Sequence, residues 1–89
     1  MNHPKVNEVL AVIATDLGRT GHNPIRHATD ETTSSMSKLL NHCLWMAIEA
    51  QQYEFPKAMR WLGCIQGIMF ATGYKTIDEL KATNKPKEA

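Results

Sequence analysis

Gly63 and Gly67 stand four residues apart in a segment that otherwise reads as strong helix, Arg60-Trp61-Leu62-Gly63-Cys64-Ile65-Gln66-Gly67. An interior glycine costs a helix about 1 kcal/mol relative to alanine, and residues four apart share one helical face. The pair therefore cuts a notch without side chains, and the expected filler is another helix packed closely against it. That constraint points to an all-α fold. We expect a small helical bundle built on a long antiparallel helical hairpin, with an N-terminal helix and a short C-terminal capped helix. Residues 1–84 form one expected domain, and 85–89 a charged, frayed tail carrying Pro86.

The pattern along the chain supplies the elements. Pro4 suits a first helical position, and Val6, Val9, Leu10, Ile13 and Leu17 recur in three- and four-residue steps as one apolar stripe, widened by Ala11, Val12 and Ala14. Gly18 is the expected stop. A second helix is expected to open at Thr29 or Asp30, either of which can cap it, with a stripe of Met36, Leu39, Leu40, Cys43, Leu44, Ala47 and Ile48. Its first turns, Thr32-Thr33-Ser34-Ser35, are poor helix formers. Phe55-Pro56 turns the chain into a third helix that stops at Gly73. Thr76-Ile77-Asp78-Glu79 then matches a capping box for a fourth.

Between the first two helices lies a loop, 18–28, with two glycines and an Asn-Pro step. It holds Arg19, His22, Arg26 and His27 and no acid, in a chain whose formal net charge is only +1. A charge that small gives no global field to draw in nucleic acid or an anionic membrane. No segment is apolar over the ~20 residues that a membrane span needs, and the N-terminus lacks a secretory pattern. Cytoplasmic residence is the expectation. Cys43 and Cys64 make no CxxC or zinc-finger spacing and read as small buried hydrophobes.

Two segments together, His42-Cys43-Leu44-Trp45-Met46 and Arg60-Trp61-Leu62-Gly63-Cys64-Ile65-Gln66-Gly67, followed by Thr76-Ile77-Asp78-Glu79-Leu80-Lys81, resemble a pattern in small helical proteins of bacteriophages and prophages. The resemblance covers about half the chain, roughly 37–84, and leaves out the basic loop. It implies an accessory protein in the cytoplasm of an infected bacterium, acting on a host protein or sequestering a host molecule. No catalytic residue or cofactor comes with it.

The residues themselves show no P-loop, Rossmann, HExxH or GxSxG pattern. Adjacent His42 and Cys43 point in different directions on a helix and so cannot pair. Neither an enzyme nor a metal or cofactor is expected. A ligand site is instead expected where the loop meets a helix N-terminus, whose free N–H groups favour phosphate. Its residues would be Arg19, His22, Arg26, His27, Thr32, Thr33 and Ser35, opposed there by Asp30 and Glu31. An association surface would use Trp45, Arg60, Trp61, Gly63 and Gly67, and a homo-oligomer is expected through faces containing Gly63, Gly67 or Val6 to Ile13. The leading functional expectation is a non-enzymatic phage protein that inhibits a host protein or sequesters a small phosphorylated, nucleotide-type signal. Its alternatives are a small nucleic-acid-binding regulator and a structural or assembly component.

Overall fold

The computed structural model describes residues 4–32 and 35–84, and its described part is all-helical. Four α-helices follow in order: α1 (Pro4–Arg19), α2 (Met36–Glu49), α3 (Phe55–Ala71) and α4 (Ile77–Asn84), with a 3-10 turn at Ala50–Gln52. They enclose one core in a body of 41 × 27 × 20 Å.

The α1 stripe behaves as its spacing requires. Val6, Val9, Leu10, Ile13 and Leu17 are all buried. They meet Leu40, Cys43, Leu44, Met46 and Ala47 from α2, Ala50 from the turn, and Ala58, Leu62, Ile65 and Met69 from α3. α1 packs most extensively on α2, α3 lies against both, and α4 touches only the edge, with no buried residue of its own. The stripe is narrower than expected, however. Ala11 and Val12 face solvent, because the core reaches only one side of α1.

Two expected boundaries hold for stated chemical reasons. Gly73 takes φ +78°, the left-handed conformation that ends α3 at little steric cost. The Thr76 hydroxyl accepts from the Glu79 N–H at 3.1 Å, and the Glu79 carboxylate accepts from the Thr76 N–H at 2.9 Å, so the capping box is closed in both directions.

Others are corrected. α1 does not stop at Gly18 but runs to Arg19, and it is Gly21, at φ +93°, that turns the chain. α2 starts at Met36, not at Thr29 or Asp30. The cap is Ser35, whose hydroxyl accepts from the Lys38 N–H at 3.3 Å. Hydroxyl-rich residues compete for backbone partners and favour caps and turns, so α2 spans 14 residues and the connection before it is correspondingly longer. Met36 and Ile48, at 58% and 50% exposure, leave the α2 stripe. Asn84 belongs to α4, where its amide exchanges hydrogen bonds with Gln66. Cys64 is exposed, not buried.

The glycine notch is also corrected. Gly63 and Gly67 are exposed, and a Cβ built on either meets nothing within 4 Å. Among the described residues no helix fills the notch. Gly63→Ala and Gly67→Ala should therefore each stabilise the isolated protein by about 0.5–1 kcal/mol, the gain of a better helix former without a clash. Urea unfolding at a concentration where the protein is monomeric measures this; a loss of stability would mean that the face is occupied within the fold.

Candidate functional site

The connection between α1 and α2 does not loop out. It folds back along α2, held there by side-chain acceptors on that helix. Asn41 Oδ1 accepts from the Asn23 N–H at 3.0 Å, and His42 Nδ1 accepts from the His27 N–H, also at 3.0 Å. Isolated N–H groups laid against a protein surface need such partners. We call residues 23–29 the strap.

Pinned in this way, the strap brings Arg26 over the Trp45 ring of α2 and His27 beside His42. The Arg26 guanidinium lies 5.2 Å from the Trp45 ring centroid, within cation–π range. His42 stacks on Trp45 at 5.6 Å and 17°, because residues three apart on a helix share a face. Trp45 meets Trp61 of α3 at 5.8 Å, and Trp61 meets Tyr53 edge-on at 4.8 Å. Lys57 closes the row, 3.9 Å over Tyr53 and 5.8 Å from Trp61. Both tryptophans are half-buried and pack against the core.

Between strap and rings runs an open groove of about 450 Å³. Arg26, His27, Thr29 and Glu31 line its strap side, and His42, Trp45, Met46 and Trp61 its helical side. Its hydrogen bonds fix two tautomers. His42 Nδ1 accepts, so a neutral His42 carries its proton on Nε2. The His27 Nδ1–H donates to the Ala28 carbonyl at 2.7 Å, leaving the His27 Nε2 lone pair buried and without a partner. Burial first, then the neighbouring His27 and Arg26, lowers the pKa of His42 below its ordinary 6.5.

Of the expected ligand residues, only Arg26 and His27 line this groove. Arg19 lines a different one, with Glu8, Val12 and Asp16 on α1. His22 stands edge-on to Tyr74, 6.1 Å away, beside a second cluster in which Lys75 pairs with Asp16 at 2.9 Å and Tyr74 bonds Thr20 at 2.8 Å. That hydrogen bond to Asp16 is the main reason the Lys75 pKa is raised. Thr32 is exposed, Ser35 serves as the helix cap, and Thr33 lies outside the described residues. The helix N-terminus expected to hold phosphate at Thr29–Asp30 does not exist, since α2 opens six residues later than Asp30, at Met36. Of the expected association residues, Trp45 and Trp61 belong to the groove, whereas Arg60, Gly63 and Gly67 face outward from α3. His42 is the residue that sequence reasoning undervalued. Its three-residue spacing from Trp45 was the available signal.

Comparison with protein-family models, curated proteins and solved structures finds no match to this chain. Among the described residues no group of His, Cys, Asp and Glu side chains could hold a metal ion, and no helix is long and apolar enough to cross a membrane.

Cys43 is wholly buried, its thiol placed to donate to the Ile65 carbonyl at 4.0 Å. Burial, with a smaller contribution from Cys64, pushes its pKa up to about 12. The thiolate is the reactive form, so folded protein at pH 8 should consume one equivalent of a disulfide reagent, at Cys64. Reaction at Cys43 should appear only in denaturant. Two rapid equivalents without denaturant would contradict the burial of Cys43.

Proposed function

We propose that the protein is a non-enzymatic binding protein that holds a small phosphorylated, nucleotide-type ligand in the groove between the strap and the Trp45–Trp61 pair. One observation carries this reading: Arg26, His27, His42, Trp45 and Trp61, drawn from three separate segments, line a single open groove. Its volume of about 450 Å³ lies in the range of small-ligand sites, ~300–1,000 Å³. A planar base can stack on indole faces, at roughly 1–3 kcal/mol per base. A guanidinium offers phosphate a planar, two-pronged donor set. Glu31 on the rim disfavours a ligand that is anionic throughout and suits one with donor groups at one end.

In this mechanism Arg26 turns from the Trp45 ring to the ligand's phosphate, and the base takes the vacated indole face. The scaffold in this reading is the antiparallel α2–α3 hairpin. Cys43, buried and protonated, does not combine with His42 as a nucleophile and base, which favours binding over chemistry. A role as a bacteriophage accessory protein, removing a host signal by holding it, follows from the resemblance in the His42–Met46 and Arg60–Gly67 segments.

A second reading, self-association through the outer face of α3, is favoured by a separate observation. Gly63, Cys64, Gly67 and Phe70 are exposed side by side there, Phe70 at 53%. Native mass spectrometry reads that assembly state directly.

For the ligand site, ADP at a hundred times its dissociation constant should stabilise the fold by about 2.7 kcal/mol, raising the melting temperature by several degrees. Arg26→Ala should weaken binding roughly tenfold or more, by the ~1.5–3 kcal/mol of a charged hydrogen bond, and Trp45→Ala comparably. Calorimetric titration measures both. Unchanged affinity in the two variants, or no binding by any mono- or dinucleotide, would contradict the reading.

A further inference from the structure

We propose that His42 is a proton-operated latch: protonating its ring releases the strap from α2 and opens the groove. The inference takes the groove as the ligand site from the reading above, but the latch itself stands on the hydrogen bonding. The strap is held to α2 by two backbone N–H groups, and their acceptors differ in one respect. Asn41 Oδ1, which holds Asn23, does not titrate. His42 Nδ1, which holds His27, does.

A neutral imidazole accepts at Nδ1 because its proton sits on Nε2. An imidazolium carries an N–H on both nitrogens and accepts at neither. Taking a proton from solvent at Nδ1 therefore replaces the bond with two donors pointed at each other, 3.0 Å apart in the closed geometry. The His27 N–H must then turn to water, and the strap must lift with it. Its other end stays tethered by Asn23, so the movement is local to residues 26–29.

The groups around His42 bias the latch in both directions. From the strap, Arg26 lies over the shared Trp45 and disfavours a second positive charge, and His27, edge-on at 6.3 Å, adds to this in its protonated form. Glu31, lining the strap side of the groove, favours one. From α2 come Trp45, stacked on the ring, and Met46; from α3 comes Trp61; these three carry no charge. Lys38 lies with Glu31 and Asn41 in the adjoining groove on the far side of the strap. Closing also buries the lone pair of His27 Nε2 without a partner, and opening returns it to water. The closed strap is thus stabilised by a neutral His42 and weakened by what it does to His27.

The sign follows. Because His42 titrates below its ordinary 6.5 when the strap is closed, the closed state is fully favoured above that value. It loses ground as pH falls through the lowered one.

Nuclear magnetic resonance on the full chain labelled with nitrogen-15 tests this. Imidazole nitrogen shifts should show His42 with a bare Nδ1 at pH 8 and a titration midpoint below 6.5. The His27 amide and the Trp45 indole signals should move with that same midpoint, while the Asn23 amide stays nearly fixed. His42→Gln supplies an amide oxygen that can accept the same N–H but cannot titrate, and it should abolish the movement. A His27 amide that ignores the His42 titration overturns the latch. So does the same movement in His42→Gln, which would assign it to the His27 ring. Because release carries Arg26 away from the groove floor at Trp45 and Trp61, ADP affinity should fall about tenfold between pH 7.5 and pH 5 in the native chain and much less in His42→Gln, where the ligand's own titration alone remains. An equal fall in both, or a rise in the native chain, also overturns the latch. If ADP binds at neither pH, the ligand reading fails while the His27 amide still decides the latch.

Discussion

Two side-chain acceptors on α2, Asn41 Oδ1 and His42 Nδ1, decide where the long connection after α1 goes. Without them the segment would be a solvated loop with its cations spread in water. With them, Arg26 is laid over the indole of Trp45 and His27 beside His42, and a groove appears that neither helix possesses alone. The bonds are neutral and modest, each contributing on the order of 1 kcal/mol net. They place the strap and leave it removable.

What makes such a modest attachment sufficient is the stiffness of its base. Leu10, Leu17, Ile65, Met69 and Cys43 are fully buried, so α1 fixes α2 and α3 from behind. The Asp16–Lys75 pair and the Tyr74 hydroxyl tie the end of α1 to the turn after α3. Trp45 and Trp61 rest on this core. Their rings are held by packing against each other and the core, which in the proposed ligand reading supplies a floor that is already ordered. In the latch proposal the strap is the part that moves.

The legible and illegible parts of the fold divide by sequence distance. The α1 stripe, the left-handed Gly73 and the Thr76–Glu79 capping box depend on residues within a turn or two of each other, and reading their spacing was enough. The start of α2 was misplaced because Thr29, Asp30 and Ser35 can all cap, and local chemistry does not say which one the tertiary structure will use. Gly63 and Gly67 show a different limit. Helix propensity marks the pair as costly, but propensity cannot say whether a neighbour fills the notch, and among the described residues none does. The groove was half visible. The basic loop and the tryptophans each stand out in the sequence, but their meeting depends on contacts between residues such as 26 and 45, which no periodicity records. Arg19 and His22, ahead of the strap in sequence, lie elsewhere: Arg19 still belongs to α1, and His22 stands against Tyr74.

The account rests on the strap and the tryptophan face acting together as one binding surface. The most direct measurement is a map of amide and indole shift changes as ADP is added to the labelled protein. The account predicts changes concentrated at Arg26, His27, His42, Trp45 and Trp61, with the outer face of α3 around Gly63 and Gly67 left unmoved. Changes centred on that outer face, or on the Arg19 side of α1, would contradict it.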